Sequence, residues 1–138
     1  MELTRRNVMA LGAGAVVAAA LPFKASASAD DAIAAFTGGA EVTEGGVSLT
    51  APEIAENGNT VQISVDAPGA ASIMVIASGN PTPGVATFNF GKLSGSQAAT
   101  TRIRLAGTQD VIAIAKMQDG TFAKASSTVK VTIGGCGG

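Results

Sequence analysis

The sequence predicts an all-β fold: an immunoglobulin-like β-sandwich of about seven strands, with a short N-terminal helix and a flexible C-terminal arm. Three observations carry this. Apolar residues recur at every second position, as where Val61, Ile63 and Val65 alternate with Gln62, Ser64 and Asp66. Period two places one face of a strand in a core and the other in water. The runs are short, and turns rich in Gly, Pro and Asn separate them. Beyond the leader described next, helical spacing is confined to one short stretch that starts near residue 30.

Residues 1–29 read as an export signal. Thr4-Arg5-Arg6-Asn7-Val8-Met9 precedes a charge-free, apolar and small-residue run from Val8 to Leu21. Ala25-Ser26-Ala27 and Ala27-Ser28-Ala29 are both small-x-small cleavage patterns, expected to be cut before Asp30 or two residues earlier. The paired arginines make the signal one of the twin-arginine type, which places the mature protein in the periplasm. The run falls short of the roughly 20 apolar residues of a membrane-spanning helix. No cysteine stands near the cleavage site to carry a lipid.

Residues 30–133 are then one domain. Asp30-Asp31-Ala32-Ile33-Ala34-Ala35-Phe36 predicts the helix, with aspartates at the positive end of its dipole and Ile33 and Phe36 on one face. Thr37-Gly38-Gly39 ends it. Strands are predicted at Val47–Thr50, Val61–Asp66, Ala71–Ala77, Val85–Phe90, around Arg102–Leu105, at Val111–Ala115 and at Thr128–Ile133. Ala71–Ala77 and Val111–Ala115 are continuously apolar, as expected near the middle of a packed sheet. Asn57-Gly58-Asn59, Ala67-Pro68-Gly69, Asn80-Pro81-Thr82-Pro83-Gly84 and Gln118-Asp119-Gly120 supply the turns. The aromatic content is low: after residue 29 only Phe36, Phe88, Phe90 and Phe122 remain. A core so poor in large side chains suggests a domain completed by a partner surface.

Charge and composition narrow the function. Without Arg5, Arg6, Lys24 and Glu2, the mature chain keeps six basic and nine acidic residues, a net charge of −3. With no basic cluster, this argues against a nucleic-acid partner. The chain has no histidine, so Ser–His or Cys–His activation and imidazole metal ligation are absent. Neither a metal nor a cofactor is therefore expected. Glu41, Glu44, Glu53 and Glu56 read as solvated surface, and Arg102 and Arg104 as a surface pair on one strand face, with anion binding the lesser alternative.

What remains is the terminus, Ile133-Gly134-Gly135-Cys136-Gly137-Gly138, which holds the only cysteine of the chain. Residues 134–138 form the expected arm. Gly134, Gly135, Gly137 and Gly138 leave the thiol without side-chain neighbours, in a thin segment able to enter a narrow cleft. From Ile133 the backbone reaches about 10 Å, at roughly 3.3–3.6 Å per extended residue. Low-pKa cysteines sit at helix N-termini or beside cations. Cys136 has neither in sequence, and the carboxylate of Gly138 opposes thiolate formation. The arm offers a nucleophile without machinery to activate it. Activation must come from whichever protein receives the arm, which is the behaviour of a carrier rather than an enzyme.

These residues resemble the SoxY family, the sulfur-carrying subunits of bacterial thiosulfate oxidation. The resemblance rests on Gly134-Gly135-Cys136-Gly137-Gly138, on the Arg5-Arg6 signal, and on Ala51-Pro52-Glu53-Ile54-Ala55-Glu56-Asn57-Gly58 leading into an alternating strand. It implies an immunoglobulin-like domain paired with a SoxZ-like subunit in a periplasmic heterodimer. It further implies that Cys136 is the covalent attachment point for sulfur. The c-type haem enzyme SoxAX would load it, the hydrolase SoxB would release sulfate, and the sulfane dehydrogenase SoxCD would oxidise the remaining sulfur. No catalytic residue is expected in the chain itself, and no association with a membrane. Two alternatives use the same terminus differently. A Gly137-Gly138 thiocarboxylate carrier would need ATP, which an exported protein does not meet. A structural module would be linked through an intermolecular disulfide of Cys136, and the thiol also makes a Cys136-linked homodimer an expected off-cycle form.

Overall fold

The computed structural model describes residues 28–134, so the predicted signal up to residue 27 and the arm from Gly135 to Gly138 lie outside the described residues. The first element, α1 (Ala29–Thr37), starts from a capping box. Ser28 Oγ accepts from the Asp31 backbone N–H at 3.1 Å, and Asp31 Oδ2 accepts from the Ser28 N–H at 3.3 Å. Two of the amide donors that a helix leaves orphaned are thereby satisfied. Gly38, in the left-handed region at φ 65°, closes the helix by donating its N–H to Ala34 O at 2.8 Å. The helix is one residue longer at each end than its apolar spacing predicts, because the cap and its partner lie three positions apart across the expected cleavage site.

Nine strands follow: β1 (Val42–Glu44), β2 (Ser48–Thr50), β3 (Ile54–Ala55), β4 (Val61–Asp66), β5 (Ala70–Ala77), β6 (Gly84–Asn89), β7 (Ala98–Ile103), β8 (Gln109–Met117) and β9 (Phe122–Val131). They form an immunoglobulin-like sandwich. The larger sheet has the order β1-β9-β8-β5-β6 with β3 also on β9, and the smaller has the order β2-β4-β7. Seven of the nine overlap the predicted strands, but β7 ends at Ile103, short of the predicted Leu105, and β9 runs from Phe122 to Val131 where the sequence predicts Thr128–Ile133. The additional β1 and β3 are two or three residues long and run parallel to β9 at its two ends, Val42 opposite Phe122 and Ile54 opposite Lys130. Between them the chain crosses to the smaller sheet as β2, antiparallel to β4. Gly45 and Gly46, at φ 92° and 83°, make the exit from β1. Such φ values suit glycine and strain most other residues.

The core lies between the sheets. Val61, Ile63 and Val65 of β4 face Ile73 and Val75 of β5 and Val111, Ala113 and Ala115 of β8. Each fully buried aliphatic side chain contributes about 1.5–3 kcal/mol relative to exposure. Alanines stand opposite one another at the centre of the β8–β9 ladder, Ala113 opposite Ala125 and Ala115 opposite Ala123. A second apolar layer covers the outer face of the larger sheet. There α1 lays Ala29, Ala32, Ile33 and Phe36 over Ile76, Ile114 and Phe122. Phe36 and Phe122 meet edge to face with ring centroids 5.9 Å apart. Two of the four domain aromatics thus hold the helix, while Phe88 and Phe90 pack half-buried against the main core.

Candidate functional site

The strand directions collect one set of loops at the end of the sandwich where the chain runs out toward Cys136. Antiparallel pairing brings the C-terminal ends of β5, β7 and β9 together with the N-terminal ends of β4, β6 and β8, as Ala77 opposite Val111, Gln109 opposite Val129 and Val61 opposite Ile103 require. From the last residue of β9 onward the chain is stitched to this end by several hydrogen bonds. Val131 N–H donates to Thr108 Oγ1 at 3.0 Å, Thr132 N–H to Ala55 O at 3.0 Å, and Thr132 Oγ1 to Glu56 O at 2.9 Å. Ile133 O accepts from the Gly58 N–H at 2.8 Å, and the buried Gly58 in turn accepts from Leu105 N–H at 2.8 Å.

Gly134 is the last described residue, and its neighbour is Ala106. A Cβ at Gly134 would run into the Ala106 carbonyl oxygen, an atom of the backbone. Gly134 is not among the glycines at positive φ, so space rather than backbone angle calls for glycine here. The sequence counts Gly134 with the arm; in the structure it lies against the domain.

Beneath Ala106 two amide side chains form a small network. Asn80 Oδ1 accepts from the Ala106 N–H at 2.9 Å and from Gln109 Nε2 at 2.9 Å. Asn80 Nδ2 donates to Arg104 O at 2.8 Å. Gln109 Nε2 also donates to Gly107 O at 3.0 Å, and its Oε1 accepts from the Gly79 N–H at 2.9 Å. Gln109 is 8% exposed. It occupies an inward position, in phase with Val111, Ala113 and Ala115 on β8. A buried amide is tolerated only when paired, and these bonds supply its partners. Sequence reading places Asn80 in a turn and passes over Gln109. The available signal was a polar residue in register with an apolar face.

The other candidates stay apart. Glu41, Glu44, Glu53 and Glu56 are exposed, and Glu44 pairs with Lys124 at 3.5 Å in the β1–β9 ladder. Arg102 and Arg104 are exposed, and Arg102 Nη1 donates to Thr60 Oγ1 at 3.4 Å. Among the described residues there is no group of three His, Cys, Asp or Glu residues that could hold a metal ion, and no pocket. No helix among them is long and apolar enough to cross a membrane. Cys136, Gly135, Gly137 and Gly138 lie outside the described residues.

Comparison with known proteins adds a family. The model of "Sulfur oxidation protein SoxY" matches residues 33–136, ending on Cys136. Among solved structures, the sulfur carrier protein SoxY from Chlorobium limicola f thiosulfatophilum is 35% identical, with a TM-score of 0.65 over 75% of this chain and 96% of that one. A superoxide reductase (neelaredoxin) from Ignicoccus hospitalis is 17% identical, with a TM-score of 0.56 over 63% of this chain and 80% of that one. A putative superoxide reductase from Thermotoga maritima is 20% identical, with a TM-score of 0.53 over 70% and 89%. The last two share the fold alone. No curated protein matches the sequence.

Proposed function

The chain belongs to the SoxY family of sulfur oxidation proteins, and from that premise we propose that it is a periplasmic carrier holding thiosulfate-derived sulfur covalently on Cys136. The observation that carries the reading is the coincidence of family and thiol. The family match runs through the domain to the one cysteine of the chain, and the solved relative is itself called a sulfur carrier protein.

The chemistry follows from a thiol that lacks activating neighbours in sequence. Loading joins the Cys136 sulfur to the sulfane sulfur of thiosulfate. One S–S bond forms, the thiol proton leaves, and two electrons pass to the c-type haem partner, SoxAX. Water then attacks the terminal sulfonate sulfur in the hydrolase SoxB; sulfate departs and a persulfide stays on Cys136. The sulfane dehydrogenase SoxCD takes six electrons from that outer sulfur while three waters supply its oxygens and seven protons leave; the resulting S-sulfonate is hydrolysed to sulfate and the free Cys136 thiol. The chain contributes attachment and presentation, and each bond-making step belongs to a partner. A SoxZ-like subunit completes a heterodimer, and the twin-arginine signal exports the folded pair. With Arg5→Lys and Arg6→Lys together, both subunits should stay in the cytoplasm.

Intact-mass measurement after incubation with thiosulfate and the haem enzyme tests the proposal. Wild type should gain one sulfane-sulfonate group, and Cys136→Ser should gain none and lose thiosulfate-dependent turnover. Turnover retained by the serine variant, a C-terminal thiocarboxylate, or only a protein–protein disulfide would each reject it.

A further inference from the structure

The Ala106–Gly134 contact rests on residues far apart in sequence. Gly134 is seated on a backbone carbonyl that leaves no room for a Cβ. The loop bearing that carbonyl does not hang free. Asn80 holds it at Arg104 O and at the Ala106 N–H, and Gln109 holds it at Gly107 O while anchoring Asn80 and the Gly79 N–H from below. On the other side, Ile133 O is tied to Gly58, whose carbonyl receives the Leu105 N–H from the same loop. Ile133 is thus bonded to the Gly58 loop, and the carbonyl that faces Gly134 belongs to a loop held in place by Asn80, Gln109 and Gly58. Every buried polar side-chain atom among the described residues has a partner, so the network is complete as built.

We propose that Asn80, Gln109 and Gly134 are positioning residues that fix the point from which the Cys136 segment leaves the domain. This rests on the carrier reading of Cys136 and deepens it. The four glycines of the terminus then divide their work. Gly134 belongs to the platform and is selected by lack of space, whereas Gly135, Gly137 and Gly138 lie past the platform. Cys136 stands two residues beyond the fixed point, which limits its backbone to about 7 Å from Gly134 at roughly 3.3–3.6 Å per residue. A partner enzyme that docks on this end would meet the thiol at a defined origin. Misplacing a reacting group by about 1 Å can cost on the order of 100-fold in rate.

The test uses the full mature protein with a nitroxide on Cys136, and in parallel the unlabelled protein loaded by the haem enzyme. Gly134→Ala should lift the root off Ala106 and narrow the nitroxide spectrum, while Gly135→Ala should not narrow it. Asn80→Ala leaves Gly134 untouched but releases Ala106 from beneath, so it should narrow the spectrum too. It also serves as the second variant if Gly134→Ala folds poorly. In the loading assay both variants should lose about 10-fold or more in kcat, with the reaction of Cys136 toward a small disulfide reagent unchanged. A variant that was merely less stable would be affected by temperature in both reactions alike. Wild-type spectra in Gly134→Ala and Asn80→Ala would overturn the inference, as would unaltered loading by both variants. Failure of the wild type itself to load would reject the carrier reading instead, leaving the nitroxide result to decide the positioning role.

Discussion

The two ends of the sandwich are built from similar material, turns of Gly, Pro, Asn and Ser, yet they are held in different ways. At the end that leads to Cys136, the side chains of Asn80 and Gln109 bridge loops 24 to 30 residues apart in sequence. At the opposite end the side-chain hydrogen bonds are mostly local. Asp119 Oδ1 accepts from Thr121 Oγ1 at 2.6 Å and from Thr121 N–H at 2.9 Å, two residues away, and Ser94 Oγ donates to Ser96 O at 2.7 Å. Longer links there are Gly69 N–H to Gln97 Oε1 at 3.3 Å, which is exposed, and the backbone bonds Ala67 N–H to Gln97 O at 3.0 Å and Gln118 N–H to Gly69 O at 3.1 Å. Leu93 stands wholly in solvent at the tip of the β6–β7 loop. A local turn shapes its own residues, while a buried amide network ties separate loops into one surface. The difference locates the end where position matters.

The largest expected effect tests the network. Gln109→Ala strands the Gly79 N–H and leaves Asn80 with one partner fewer, costing about 1–3 kcal/mol, to be read from chemical denaturation of the mature protein. A loss below about 0.5 kcal/mol, the usual range for a surface change, would erase the contrast between the two ends.

Next in size is a local device to set beside it, the capping box of α1. Cleavage after Ala27 keeps Ser28 as the cap and Ala29 packed on the outer apolar layer, whereas cleavage after Ala29 removes both. The exported protein should therefore begin at Ser28, as N-terminal sequencing can establish. In that protein Ser28→Ala should cost about 1 kcal/mol. A mature chain starting at Asp30 would contradict this.

Leu93→Ser should change stability by no more than about 0.5 kcal/mol, since the side chain touches no core. A larger loss in the same denaturation experiment would mean the loop tip is packed in solution.

The smallest effect is pH-dependent. Hydrogen bonds from the Thr121 hydroxyl and then its backbone N–H hold the Asp119 carboxyl below the usual carboxylate range. A lowered folded-state pKa gives a contribution that is complete above the unfolded value and is lost as pH falls through the folded one. Wild type should thus exceed Asp119→Asn in melting temperature near neutrality, and the gap should shrink below about pH 4. A gap that stays constant down to strongly acid pH would assign the turn's stability to shape rather than charge.

Much of the architecture was legible in sequence because burial in a sandwich writes itself at period two. Val61, Ile63 and Val65 alternate with polar neighbours, and in the structure they face the core. Gly38 after a Thr-ended helical run announced the helix stop for an equally local reason. β1 and β3 were not legible. Two or three residues carry no period, and both exist as strands only because β9 offers them an open edge. The carrier role proposed for Cys136 comes from the sequence for a chemical reason: a single cysteine among glycines, in a chain without histidine, leaves few reactions to assign.

The seat of Gly134 was decided by tertiary structure alone. Asn80 reads as a turn residue and Gln109 as an irregularity in an apolar strand, until antiparallel pairing of β5 with β8 brings the two amides within 2.9 Å. Gly134 reads like Gly135, Gly137 and Gly138, until the fold sets Ala106 O where its Cβ would stand. Periodicity and composition report what each residue prefers as solvent. Which backbone atom lies across from a given residue depends on loops that meet only once both sheets have closed.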